Sequence, residues 1–221
     1  MRLDSSRIII LCGHYGSGKT NLSVNLALLQ AQQGRQVSVC DLDIVNPYFR
    51  TADFGELFSA HGIELIAPCY ANSNLDTPIL PPRLAAAIGD RSRTLVIDVG
   101  GDDDGAVALG GYSQRLNEAG CTVWYVVNRR RYLEPDVEGE LALLQGVERC
   151  SRLRVTGLVN NTNLGGETTA STVQQSRGYL DELAQRSGLP VVCTAVDRRL
   201  TAELGEVPHL LPVDIYVKTP W

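Results

Sequence analysis

The sequence predicts a single α/β domain in which a mostly parallel sheet carries helices on both faces. Strand-sized apolar runs at Ile8–Leu11, Gln36–Cys40, Ile63–Ile66, Thr94–Asp98, Cys121–Val127, Val155–Val159 and Pro190–Thr194 alternate with helix-length segments, the pattern of βα units. The runs are apolar at consecutive positions rather than at every second one, which marks strands buried on both sides and hence a parallel sheet. With 221 residues and 44% hydrophobic content, one sizeable core can form, and no repeat or linker divides residues 1–221.

The first apolar run ends in Gly13-His14-Tyr15-Gly16-Ser17-Gly18-Lys19-Thr20, which meets the pattern G-x-x-x-x-G-K-[ST] in full. A helix over Asn21–Gln33 follows, with Leu22, Leu26 and Leu29 near helical spacing. This is a phosphate-binding loop. Glycines let the backbone close around an anion and turn successive N–H groups inward, and the helix start adds the positive end of its dipole. Residues 13 to 21 therefore form the expected cradle, with Lys19 on the β- and γ-phosphates and the Thr20 hydroxyl on Mg²⁺. Lys19 and Lys218 are the only lysines among 20 basic residues, so a chain that otherwise uses arginine places a lysine where the motif needs one.

Gly34 reads as a helix C-cap, and the second strand runs into Asp41-Leu42-Asp43. Two carboxylates one residue apart on an extended backbone face the same side, at the strand end where ligands bind in open α/β sheets. Both are expected to meet the Mg²⁺ and attacking-water region. Thr51–Ala60 suits a short helix, Pro68–Pro82 a long loop, and Leu84–Ile88 another short helix. The strand ending at Asp98 and continuing Val99-Gly100-Gly101 has the form of a Walker-B segment. In it Asp98 serves the metal, and the glycines admit backbone approach to the γ-phosphate. Asp102, Asp103 and Asp104 are read as the cap of a helix near Gly105. A strand to Val127 leads to Asn128-Arg129-Arg130-Arg131, and Pro135 opens a helix over Glu138–Val147. The strand at Val155–Val159 closes on Asn160-Asn161-Thr162-Asn163, a long helix covers Ala170–Arg186, and Arg198–Leu204 forms a short one. Pro190–Thr194 is the last clear strand, and the tail Pro208–Trp221 holds three prolines and no basic amphipathic helix, so no membrane anchor is expected in it.

Cys12, Cys40, Cys69, Cys121, Cys150 and Cys193 show neither a CxxC pair nor metal-ligand spacing; Cys12, Cys40, Cys121 and Cys193 sit in or beside apolar runs and are expected to pack as small hydrophobes, with a cluster shared between two subunits as the alternative. A net charge of -5 argues against nucleic-acid binding, and the short Arg129–Arg131 cluster does not reverse it. The apolar runs are too short to span a membrane and Met1–Ser6 carries no signal-peptide core, so a cytoplasmic protein is expected.

The P-loop, the Asp41-x-Asp43 strand end, the Asp98-x-Gly-Gly strand end and the Gly157-Leu-Val-Asn-Asn161 strand end stand in the order that resembles the MinD/ParA/CobQ-type (SIMIBI class) of P-loop ATPases. Within that class, His14-Tyr-Gly-Ser-Gly-Lys-Thr with Asp41-Leu-Asp-Ile-Val-Asn-Pro-Tyr-Phe-Arg looks like a bacterial group of ATP-binding proteins. The resemblance implies a P-loop NTPase fold, ATP and Mg²⁺ as cofactors, and Lys19, Asp43 and Asp98 as the catalytic set. It further implies Thr20, Asp43 and Asp98 on the metal, with Asn161, or its neighbour Asn160, reading the adenine edge.

The chain departs from the class at one position. The signature loop Gly-Lys-Gly-Gly-x-Gly-Lys-Thr has a lysine where this sequence has His14, so the charge that reaches a partner's nucleotide is missing or is supplied by His14, Arg50 or Arg129. The function expected is a slow ATP hydrolase acting as a nucleotide-dependent switch on a partner protein, as in metalloenzyme maturation, with an ATP-dependent homodimer and neither nucleic acid nor membrane as partners. The alternatives are an ATP-dependent small-molecule kinase or synthetase, as in the cobyrinic-acid and dethiobiotin synthetase relatives, and a non-hydrolysing nucleotide sensor. GTP is a lesser variant, since no N-K-x-D motif is present.

Overall fold

The run Ile8–Cys12 forms β1, and each of its five residues is fully buried. In the computed structural model, which describes residues 6–43, 50–67, 82–101, 103–130 and 136–217, β1 lies inside an eight-stranded sheet. The other strands are β2 (Val37–Leu42), β3 (Glu64–Ile66), β4 (Thr94–Val99), β5 (Thr122–Val127), β6 (Gly157–Asn160), β7 (Val191–Asp197) and β8 (Leu210–Val213). Their order is β3-β2-β4-β1-β5-β6-β7-β8, and each neighbouring pair is parallel. After β1 the chain builds outward to one side through β2 and β3, returns to place β4 between β2 and β1, and then builds to the other side from β5 onward. The loop that leaves β1 therefore opens at the point where the winding reverses, where α/β sheets bind ligands.

Alternate residues of β1 face two cores. Ile8, Ile10 and Cys12 pack with Leu84 and Ile88 of α3 (Pro82–Gly89), Leu109 of α4 (Asp103–Gly110), Leu116 of α5 (Ser113–Ala119), Leu144 of α6 (Val137–Ser151) and Leu180 of α7 (Ala170–Ser187). Ile9 and Leu11 face Leu22 and Leu26 of α1 (Lys19–Gln32), and beside them Val24 and Leu28 of α1 meet Phe58 of α2 (Gly55–Ala60). Helices thus cover both sides of a parallel sheet, as the continuous apolar runs require. Among the described residues no helix is long and apolar enough to cross a membrane.

Several boundaries differ from the sequence reading for physical reasons. The run at Pro190–Thr194 is not the last strand: Leu210–Val213 add β8 at the sheet edge, where Pro212 can sit opposite Val196 because an edge strand tolerates a missing N–H. Thr51–Ala60 divides into a 3₁₀ turn, Thr51–Phe54, and α2. The stretch after Gly105 is broken into α4 and α5 by Gly110-Gly111-Tyr112. The helix read over Glu138–Val147 runs on to Ser151 and takes its N-cap from Asp136, whose carboxylate accepts the Gly139 N–H at 2.8 Å. Arg198–Leu204 is helical only as the 3₁₀ turn Arg198–Leu200. The loop read over Pro68–Pro82 up to residue 81, the start at Pro135, Arg131 and Lys218 lie outside the described residues, as does the capping reading of Asp102 to Asp104.

Candidate functional site

The segment from β1 to α1 is a loop wrapped on its own lysine. Lys19 is only 6% exposed, and its Nζ donates to the carbonyls of Gly13 and His14, each at 3.0 Å. Gly18 holds the turn at φ 86, and a Cβ there would stand 2.3 Å from Asn161 Nδ2, so neither the backbone nor the space admits another residue. Asn161, at the exit of β6, donates that amide to the Ser17 carbonyl at 2.7 Å and so braces the loop from across the sheet. The Ser17 hydroxyl is buried and has no partner among the described residues. His14 is half-buried with Nδ1 3.3 Å from the Tyr15 carbonyl, and Tyr15 is exposed.

The strand ends beside the loop carry the acids. Asp41 and Asp98 are in register on β2 and β4, and both are buried. Asp98 Oδ2 accepts the hydroxyls of Thr20 at 2.9 Å and Thr51 at 2.5 Å, while Oδ1 is buried without a partner among the described residues. Burial pushes the Asp98 carboxyl above its usual range against the pull of Thr51, Lys19 and Thr20, and the Asp43 charge adds to the rise. Among the described residues no group of three or more His, Cys, Asp or Glu side chains could hold a metal. A carboxylate with one spare buried oxygen beside two hydroxyls nonetheless fits a hard cation such as Mg²⁺, with phosphate oxygens completing the shell.

Both oxygens of the Asp41 carboxylate are engaged within the fold. Its Oδ1 accepts the Asp43 N–H and its Oδ2 the Ala52 N–H, both at 2.9 Å, so it fixes the exit of β2 and the start of the Thr51–Phe54 turn. Asp43 stands half-buried just past β2, and its carbonyl accepts from Arg50 Nη2. Gly100 and Gly101 serve the protein's own backbone. A Cβ on Gly101 would lie 2.4 Å from Tyr15 Cα, and a Cβ on Gly105 would lie 2.8 Å from Gly100 Cα.

Thr51 is a residue that the sequence reading did not single out; no motif marks it, and only the register of β2 with β4 brings its turn to Asp98. Asn160, read as the rival of Asn161, is spent inside the fold: its amide donates to Ser176 Oγ at 2.8 Å and accepts the Thr162 N–H at 3.1 Å. Asn21 lies in the cleft wall, but its amide holds the backbone of residues 214–217. Arg50 is buried and bonded to Asp43, and the Arg129 guanidinium lies 4.6 Å over the Tyr179 ring, so both are engaged within their own chain.

From the loop, a cleft of about 330 Å³ extends across the ends of β6, β7 and β8. Asn161, Asn163, Val196, Asp197, Ile215 and Val217 are among the residues that line it. Its mixture of apolar walls and a few amides suits a flat heterocycle next to a phosphate site. The Asp197 carboxylate is taken up by the Arg199 guanidinium at 2.9 and 2.6 Å.

Burial, and next the neighbouring Asp98, push the Asp41 carboxyl up to about 7, against the Ala52 and Asp43 N–H groups and Arg50. The folded chain therefore holds this proton more tightly than the unfolded one. The resulting stability is complete below about pH 4 and is lost as pH rises through about 7, at no more than about 1.4 kcal/mol per pH unit. Thermal melts from pH 5 to 8 in chelator should show this fall, and Asp41→Asn should flatten it; an unchanged slope in the variant assigns the titration elsewhere.

No family model matches the chain, and no curated protein matches it. Solved structures do. The cell division protein FtsY from Thermotoga maritima superposes with a TM-score of 0.55 at 18% identity, over 86% of this chain and 61% of that one. FtsY from Mycoplasma mycoides gives 0.54 at 17%, over 88% and 62%. The signal recognition particle receptor FtsY from Elizabethkingia anophelis, in complex with GDP, gives 0.53 at 14%, over 86% and 57%. The chain spans about three-fifths of the length of these structures. At such identities the likeness is one of fold: the chain has the α/β architecture shared by P-loop nucleotide-binding proteins.

Proposed function

We propose that the chain binds Mg²⁺-ATP and hydrolyses it slowly, as a nucleotide-dependent switch of the MinD/ParA type acting on a partner protein. The observation that carries the reading is the meeting of three groups at one strand end. The loop encloses the Lys19 ammonium, the Thr20 and Thr51 hydroxyls share one oxygen of Asp98, and the other oxygen of Asp98 is buried with no partner among the described residues. Lys19 would exchange the carbonyls of Gly13 and His14 for phosphate oxygens, which costs little reorganisation because the ammonium is already in place. Thr20, Asp98 and Asp43 would hold Mg²⁺, whose contribution is to neutralise charge on the phosphates. Asp43, next to the loop and not buried, would orient the attacking water.

The turn that carries Thr51 hangs on Asp98 and Asp41, so a change at Asp98 would reach the chain after Asp43 directly. This makes the Thr51–Phe54 turn the element whose position would follow the nucleotide, and the surface beside it the place for a partner protein or an ATP-dependent second copy. Neither a nucleic acid nor a membrane is proposed as partner. GTP is the second reading. It is favoured by the GDP held in the FtsY structure from Elizabethkingia anophelis, and it is weakened here by the engagement of Asp197 with Arg199, which leaves that carboxylate less able to read a guanine edge.

The test is calorimetric titration of ATP and GTP with and without Mg²⁺, phosphate release, and light scattering of the same samples. Asp43→Ala should slow release about 10- to 100-fold, as loss of a positioning group does, and should lower the gain in ATP affinity that Mg²⁺ brings, since the ion loses a carboxylate. Equal turnover removes Asp43 from the reaction. Tight binding with no release over hours favours a sensor, and turnover raised by a metabolite favours a kinase or synthetase.

A further inference from the structure

Two asparagines one turn apart on α1 hold the chain beyond β8 much as a neighbouring strand would. Asn25 Nδ2 donates to the Asp214 carbonyl and Asn25 Oδ1 accepts the Asp214 N–H, both at 2.8 Å. Asn21 Nδ2 donates to the same carbonyl at 3.1 Å, and Asn21 Oδ1 accepts the N–H groups of Tyr216 and Val217 at 2.8 and 3.2 Å. On the outer side Arg198 pairs with both Asp214 oxygens, at 2.9 and 3.0 Å. A buried amide on a helix is costly unless it is bonded. This pair is bonded mainly to a segment almost 200 positions away.

The extended segment presents different residues to different neighbours. Ile215 and Val217 line the cleft. Tyr216 packs with the α1 and α2 core, its ring edge-on to Phe54 at 6.5 Å and 77°. Phe54 ends the 3₁₀ turn whose first residue, Thr51, donates to Asp98. One short segment therefore touches the heterocycle end of the cleft, the helix that starts at Lys19, and the turn at the metal end. Asn25, Arg198 and Phe54 are not among the residues that line the cleft.

We propose that residues 214–217 form a strap that seats a nucleobase against Ile215 and Val217 and, through Tyr216 on Phe54, couples base binding to the Thr51–Asp98 end of the site. The inference rests on the nucleotide reading above. Coupling of this kind is reciprocal: a base that settles the strap favours the metal end, and Mg²⁺ favours the base.

Three probes separate the two ideas, namely ATP, GTP and inorganic tripolyphosphate, each titrated with and without Mg²⁺ into the full chain. Asn25→Ala should weaken the tighter nucleotide about tenfold and tripolyphosphate less than about twofold, because the lost bonds hold only the strap. Arg198→Ala, at an exposed ion pair that does not endanger folding, should give the same selective pattern at about threefold. Phe54→Ala should reduce the gain in nucleotide affinity that Mg²⁺ brings by about threefold. Equal losses for nucleotide and tripolyphosphate, or no loss with either Asn25→Ala or Arg198→Ala, overturn the strap. A wild type that binds tripolyphosphate as tightly as it binds nucleotides also overturns it and leaves the phosphate loop standing. A wild type that binds none of the three overturns the nucleotide reading and this inference together.

Discussion

Lys19→Ala is expected to weaken Mg²⁺-ATP binding about 100- to 1,000-fold, because a buried ammonium facing phosphate oxygens in a medium of reduced dielectric contributes roughly 3–4 kcal/mol. The loss should be large because nothing nearby replaces it. Lys19 is the only lysine among the described residues, and both Arg50 and Arg129 are engaged elsewhere in the chain. The effect on folding should be small by comparison. The Gly13 and His14 carbonyls lose a donor, while Asn161 still braces the loop through Ser17. Lys19→Arg should rescue little, since a planar fork does not fit where the loop closes to 3.0 Å on a single nitrogen. Calorimetry with a parallel thermal melt separates binding from folding, and unchanged ATP affinity in a folded Lys19→Ala protein would sink the nucleotide reading.

The same residues show which parts of the molecule can be read from a sequence. The phosphate loop is legible because its chemistry needs particular residues at fixed spacing next to a strand, and the central strands β1, β4 and β5 are legible because burial on both faces leaves nearly continuous apolar runs. Edge position hid β8: Pro208 and Pro212 are turn signals, and only the sheet context makes Pro212 acceptable. The alternation Val213, Ile215, Val217 stood in the open, but its meaning depends on a cleft wall that no local pattern encodes. Asn21 and Asn25 carried a weak signal, two amides at i and i+4 on a helix that is otherwise apolar on that side. Thr51 had none, and the bonds that Asp41 and Asn160 make within the fold carry no sequence signal because side-chain bonds to backbone N–H groups depend on where turns close.

Asp98→Asn should separate stability from binding, with opposite signs. In the absence of ligand the Asp98 carboxylate is buried, faces the Asp41 strand position and has one oxygen without a partner among the described residues, so its ionised form is costly. An amide keeps an oxygen for Thr20 and Thr51 and removes the charge. The variant should then be more stable than wild type at pH 8 by on the order of 1–2 kcal/mol, the scale seen when poorly compensated buried charges are neutralised. Because burial raises the Asp98 pKa, the wild-type cost appears only as pH rises above the unfolded value, and the difference between the two proteins should shrink toward pH 4. Binding should move the other way. Without the carboxylate the remaining hydroxyls of Thr20 and Thr51 are weak ligands for a divalent ion, and the gain in ATP affinity that Mg²⁺ brings should fall by about 100-fold. Melts at pH 5 and pH 8 in chelator, with ATP titrations at several Mg²⁺ concentrations, read both effects from one preparation. Retained Mg²⁺ enhancement in Asp98→Asn would take Asp98 off the metal, and a loss of stability at pH 8 would mean that the carboxylate is compensated by groups beyond Thr20, Thr51 and Lys19.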